Sequence, residues 1–182
     1  MKTLIISNFR SGSWFVHDSF MKEGYMPLGE ISNNTNNDRE SKIKKFKERS
    51  KVVGILHPTQ MKQSIRSCLR ICELADNIIY VQREDTREQS ISYAVALAQT
   101  DSVDTSPWLR HRKMYQNKIL DTDLNEAFAK LDVNNKMIQE IYTKFPNNVI
   151  TLEKDLPYDP YPNKYNYKGD WQPPYNFKLL GA

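Results

Sequence analysis

Four short apolar runs constrain this chain more than any other feature, because each is too short for a buried helix and all are separated by helical patterns. They are Thr3-Leu4-Ile5-Ile6-Ser7, Val52-Val53-Gly54-Ile55-Leu56, Asn77-Ile78-Ile79-Tyr80-Val81 and Val149-Ile150-Thr151-Leu152. Unbroken apolar runs of this length mark strands covered on both faces of a parallel sheet. Tyr25 to Ile31 adds a further candidate strand. Between the runs, Phe15 to Lys22 reads as a helix. Met61, Ile65, Cys68/Leu69 and Cys72 recur at helical spacing behind Pro58, a residue favoured at a helix start. Ile91, Ala94/Val95 and Ala98 repeat the spacing after Thr86, and Met137, Ile138, Ile141, Tyr142 and Phe145 form a third stripe closed by Pro146. Strands alternating with helices predict an α/β fold with a central, mainly parallel sheet flanked by helices.

The 182 residues suit one domain spanning 1–182. Its last part, 157–182, is expected to be an irregular arm: from Leu156 onward, 27 residues hold five of the nine prolines and five of the ten tyrosines. The aromatics Tyr158, Tyr161, Tyr165, Tyr167, Trp171 and Tyr175 are read as a cover for apolar surface, with stacking on sugar rings as the alternative.

The formal charge of +4 is local: Asp38 to Lys51 holds seven bases and three acids, which accounts for the whole excess. That excludes a generally cationic nucleic-acid coat. The run Lys42 to Lys47 is read as a solvated helix face, or as the border of an anionic substrate. Cys68 and Cys72, the only cysteines, form neither a disulfide framework nor a zinc ribbon and fit a reducing compartment. The aliphatic run Leu4 to Ile6 is too short for a signal peptide, and no apolar run reaches membrane-spanning length. A cytoplasmic protein without a membrane span, a nucleic-acid partner or a metal site is expected.

Ligands of open α/β sheets bind beyond the carboxyl ends of strands. After the first run comes Asn8-Phe9-Arg10-Ser11-Gly12-Ser13-Trp14 and then a helix. A strand, a tight turn with one glycine and two hydroxyls, and a helix N-terminus make an anion cradle, to which Arg10 adds a fork matched to phosphate or sulfate oxygens. It is not a nucleoside-triphosphate P-loop, which needs a lysine before the hydroxyl residue. Nor does a strand end in an aspartate for magnesium; the four main runs lead into Asn8, His57, Arg83 and Glu153. After the third run, Arg83 and Ser92, nine residues apart, suit a second phosphate if the intervening helix leans over the first loop. Arg83 can equally pair with Glu84, Asp85 or Glu88.

Phe9-Arg10-Ser11-Gly12-Ser13, followed by Arg83-Glu84-Asp85, Gln89, Ser92-Tyr93, Ala98-Gln99-Thr100 and Trp108, resembles the sulfotransferases that use 3′-phosphoadenosine 5′-phosphosulfate (PAPS). The second segment is most similar to the bacterial trehalose-type branch. Leu28-Gly29-Glu30, Val53-Gly54-Ile55 with His57 and Gln60, and Leu152-Glu153-Lys154-Asp155-Leu156 match further family segments, in order, across residues 3 to 156. The resemblance implies a P-loop-like three-layer fold and sulfuryl transfer from PAPS to a hydroxyl acceptor, a small molecule or a carbohydrate. It implies that Arg10, Ser11, Gly12 and Ser13 bind the 5′-phosphosulfate, that Arg83 and Ser92 bind the 3′-phosphate, and that Glu30 is the general base. His57 is the rival base, since histidine suits the task near neutral pH.

Trp14 replaces a hydroxyl residue common in relatives, and its indole is free to stack on adenine instead. The run Val52 to Leu56 lacks the lysine that many relatives carry near Ile55-Leu56, and the tail is short for the family, although Tyr167-Lys168-Gly169-Asp170-Trp171 is similar to a loop that closes over the nucleotide. Trp108 and Leu109-Arg110-His111-Arg112 are assigned to the acceptor side by analogy. The alternative is a catalytically silent protein of the same fold that binds a nucleotide or another anion.

Overall fold

The computed structural model describes residues 1–32, 36–61, 64–97, 119–156, 167 and 169–181. Ala98-Gln99-Thr100, Trp108, Leu109–Arg112, Tyr158, Tyr161, Tyr165 and Lys168, all singled out above, lie outside the described residues. Five strands form one sheet: β1 (Lys2–Ser7), β2 (Met26–Glu30), β3 (Val52–Leu56), β4 (Asn77–Gln82) and β5 (Asn148–Thr151). Their order is β2-β3-β1-β4-β5, and every pairing is parallel. The sheet is therefore wholly parallel among the described residues, as the unbroken apolar runs require.

Side-chain alternation divides the inner strands between two cores. Leu4 and Ile6 of β1 join Val52, Leu56, Ile78 and Tyr80 on one face. Ile5 joins Val53, Ile55, Ile79 and Val81 on the other. Helix α1 (Ser13–Lys22) covers the second face through Val16 and Phe20. The first face takes Phe46 of α2 (Asn36–Glu48), Cys68 and Ile71 of α3 (Ile65–Cys72), and Ile138 and Ile141 of the long helix after α4 (Thr86–Leu97), which is α5 (Asp121–Lys144). The chain moves from β1 toward one edge and returns in the opposite direction through β3 and β4. Right-handed crossovers then place α1 and the later helices on opposite faces. Gly54 of β3 is required by this packing, because a Cβ there would overlap the Ile31 side chain.

Two boundaries differ from the sequence reading. Pro58–Met61 is a separate 3-10 turn, and α3 begins only at Ile65 because Ser64 accepts the Ser67 amide as its N-cap. Leu152 leaves the last strand: the Asp155 carboxylate accepts the Thr151 amide, and Leu152–Asp155 winds into a single turn, α6. The cysteines of α3 are buried, and burial pushes both thiols up to about 12, which leaves them unreactive packing residues.

A buried amide network fixes the carboxyl end of β1 to α5. Asn8 Nδ2 donates to the Leu131 carbonyl at 2.9 Å, and Asn134 Nδ2 donates to Asn8 Oδ1 at 3.0 Å. Asn134 Oδ1 accepts the amide and the hydroxyl of Thr59 at 2.9 and 3.0 Å. Asn134→Ala strands these partners in a site closed to water, at roughly 1–3 kcal/mol for each unsatisfied group. A fall of about 3 kcal/mol in unfolding free energy is expected, read as a lower urea midpoint at unchanged slope.

The C-terminal residues pack against α4 and α5. Arg87 donates to the carbonyls of Trp171 and Gly169, both at 3.0 Å, and Trp171 Nε1 donates to Asn125 Oδ1 at 2.9 Å. Trp171 and Phe177 are buried against Phe128, Leu131 and Ile91, so these aromatics close an apolar surface between the two helices. No helix of the described residues is long and apolar enough to cross a membrane.

Candidate functional site

The loops after β1 and β4 leave toward opposite edges of the sheet, and the crevice between them is the topological switch point where open sheets hold ligands. The loop after β1 turns back on itself: Arg10 has φ +60° and Gly12 φ +88°. A Cβ on Gly12 would lie 2.9 Å from Leu152 Cδ1, so glycine meets both a conformational and a packing demand. Left-handed residues on both sides of Ser11 give the kind of turn from which anion-binding nests are built. Among the described residues, the amides of Ser11, Gly12, Ser13 and Trp14 have no hydrogen-bond acceptor. The helix dipole of α1 adds to them, and no acid occupies its first turn.

Side chains around the loop are committed in different ways. Ser11 Oγ, fully buried, donates to the Asn8 carbonyl at 2.8 Å, so what Ser11 presents is its amide. Ser13 is buried at the start of α1. Arg10 Nε donates to Ser92 Oγ at 2.9 Å, and Gln89 Nε2 donates to the Phe9 carbonyl at 2.6 Å, so α4 leans over the first loop. Arg83 is buried and joined to Glu153, with Nε 3.2 Å from Oε1. Glu153 also accepts the amides of Glu84 and Asp85. Among the described residues, the carboxylate paired with Arg83 thus comes from beyond β5 and not from the neighbours Glu84, Asp85 or Glu88 that the sequence offered. Ser92 and Arg83, paired in the sequence reading, are here shown with different partners, Arg10 and Glu153.

Glu30, at the end of β2, lies on the other side of Trp14. The Trp14 indole, 39% exposed, donates from Nε1 to Glu30 Oε1 at 3.3 Å. Gln60 Nε2 donates to Oε2 at 3.4 Å, and His57 Nε2 lies 3.6 Å from Oε1. Burial opposes the Glu30 charge, but His57, Gln60 and Trp14 outweigh it and hold the carboxyl down at about 2. His57 is buried, with Nδ1 2.9 Å from the Ser7 carbonyl; a carbonyl only accepts, so Nδ1 carries a proton. Ser32, also buried, accepts the His57 amide and donates to Gln60, so the two residues that hold the acid are themselves tied together.

Ser7, His57 and Glu30 lie in the order of a hydrolytic triad, with Ser7 Oγ 3.3 Å from Nδ1. The likeness carries no chemistry: Ser7 is fully buried, and the Nδ1 proton is already directed at the Ser7 carbonyl.

Four residues were missed or underrated by sequence reasoning. Gln60 and Ser32 hold Glu30 and His57. Phe9 stacks between His57, at 4.5 Å, and Tyr93, at 4.9 Å, as a wall of the crevice. His17 lies beneath the end of β2. None has a spacing that separates it from ordinary core or loop residues.

Comparison of the chain with family profiles, with characterised proteins and with solved structures finds no match.

Proposed function

We propose that this protein transfers a sulfuryl group from PAPS to a hydroxyl acceptor, with the loop of Arg10 to Trp14 holding the transferred end and Glu30 taking the hydroxyl proton. One observation carries the reading: a single side chain, Trp14, begins in the anion cradle and ends on the Glu30 carboxylate. A cradle for a departing phosphate and an acceptor for a proton thus lie one indole apart, as in-line transfer demands. The donor set also fits the nucleotide's charge: amides of a nest, a helix N-terminus and the Arg10 guanidinium.

PAPS would supply the activated sulfate. Glu30 accepts the proton from the acceptor oxygen as the new O–S bond forms, and the old S–O bond to phosphate breaks. The loop amides and Arg10 receive the charge that grows on the leaving phosphate, where preorganised donors are worth most. A carboxyl held at about 2 is a weak base, but a hydroxyl already bonding to sulfur becomes strongly acidic, and a weak, always ionised base suffices. His57 lies behind Glu30 and orients it.

Calorimetric titration with adenosine 3′,5′-bisphosphate, against AMP and ATP as controls, is the test. Selective binding of the bisphosphate supports the reading; a folded protein that binds none of them overturns it. The 3′-phosphate is assigned to Arg83, which would exchange Glu153 for the ligand. Arg83→Ala should therefore weaken the bisphosphate by roughly 1.5–3 kcal/mol and leave AMP nearly unchanged. Equal losses for both nucleotides would remove that assignment.

A further inference from the structure

We propose that His17 is a positioning residue for Glu30: its neutral ring, in the Nδ1–H tautomer, accepts the Gly29 amide and fixes the kink that turns Glu30 toward Trp14, Gln60 and His57. The effect on turnover rests on the reading of Glu30 as proton acceptor; the effect on geometry does not.

The pairing of β2 with β3 slips between Pro27 and Glu30, and Gly29, at φ +61°, falls inside the slip. The ladder resumes at Ile31, whose amide donates to Ile55 at 2.8 Å. In the slip, the Gly29 amide turns to His17 Nε2 at 3.3 Å. An amide only donates, so Nε2 presents its lone pair and the ring proton resides on Nδ1. His17 is 1% exposed. Burial disfavours its charged form and outweighs Asp18, whose Oδ1 is 3.5 Å from Nδ1. A charged ring would set Nε2–H against the amide N–H and break the contact.

Trp14 belongs to the same unit. Its ring packs edge-on against His17, with centroids 5.1 Å apart, and its Cη2 lies 3.2 Å from where a Cβ on Gly29 would stand. One turn of α1 thus supplies both the indole that binds Glu30 and the imidazole that shapes the strand end carrying it. A histidine used only for packing would not need its acceptor nitrogen on a strand amide that takes no part in the ladder.

Two variants separate acceptor from bulk: His17→Phe keeps a ring and removes the acceptor, and His17→Gln restores an acceptor at the reach of Nε2. Nitrogen NMR of the native protein at neutral pH should show His17 protonated at Nδ1 and bare at Nε2; a proton on Nε2 overturns the proposal without any variant. Carbon NMR of the Glu30 carboxyl should show its titration moving up toward an ordinary carboxylate in His17→Phe and staying low in His17→Gln. An unchanged titration in His17→Phe also overturns it.

Where sulfuryl transfer is measurable, His17→Phe should lower kcat on the order of ten- to a hundredfold, with bisphosphate affinity unchanged, and His17→Gln should recover most of it. Loss of the bisphosphate site in the native protein would sink the sulfotransferase reading and leave both NMR results to decide the role of His17.

Discussion

Glu30→Gln is expected to lose sulfuryl transfer by about 10²- to 10⁴-fold while binding adenosine 3′,5′-bisphosphate as the native protein does. The substitution is nearly isosteric, and the amide oxygen can still accept from Trp14 Nε1, so the indole keeps its place beside the cradle. What disappears is the negative charge and the capacity to take a proton. Acid titration provides a second reading of the same group. The folded-state value, about 2, lies below the ordinary 4.5, so the carboxylate stabilises the fold fully above pH 4.5 and loses that contribution as pH falls through about 2. The stability gap between the native chain and Glu30→Gln should therefore be widest near neutral pH and close across that window, read by urea unfolding at several pH values. Normal turnover in Glu30→Gln would move the base elsewhere, and His57, 3.6 Å away, is the residue to replace next.

The fold was legible because parallel strands buried on both faces leave nearly continuous apolar runs, and Leu4-Ile5-Ile6 and Val52-Val53 carry that mark. Helix ends were less legible. The stripe read from Met137 to Phe145 is the second half of α5, which starts at Asp121. Its first half was obscured because Asn134, a polar residue, occupies a core position that only the amide network with Asn8 and Thr59 explains. A sequence shows that an asparagine breaks a stripe but not that its four hydrogen-bonding groups are met from two other segments.

The candidate site was partly legible for a similar reason. Arg10, Gly12 and Glu30 stand at strand ends, which a parallel sheet brings to one edge, so their order in the chain predicts their neighbourhood. The partners of these residues come from positions whose contacts depend on strand register. Glu153 reaches Arg83 across the β4–β5 pairing, and His17 reaches Gly29 where β2 slips against β3. Slips and long-range ion pairs leave no periodic trace. The loop position left the Trp14 ring free to stack on adenine; that its indole nitrogen is directed at Glu30 is a contact between two elements that no spacing encodes.

Arg10→Gly should separate stability from activity. Arg10 is the one residue other than glycine with positive φ among the described residues, and at φ +60° an L side chain is strained by about 1 kcal/mol or more. Glycine relieves that strain but gives up what the guanidinium holds, including the 2.9 Å hydrogen bond from Nε to Ser92, each such bond worth about 1 kcal/mol. These changes oppose one another, so the shift in unfolding free energy should be small beside the loss of turnover. Turnover should not be spared. The guanidinium leaves the point where charge builds on the departing phosphate, and loss of one preorganised donor there costs on the order of 10²- to 10³-fold in kcat. Arg10→Lys should recover little of this loss, because an ammonium keeps the charge but lacks the planar fork. A variant as stable as the native chain and nearly inactive would mean that the strained backbone is kept for what the side chain does. Full activity in Arg10→Gly would mean that the amides of the nest suffice, and Arg10 would then be a tie between the first loop and α4.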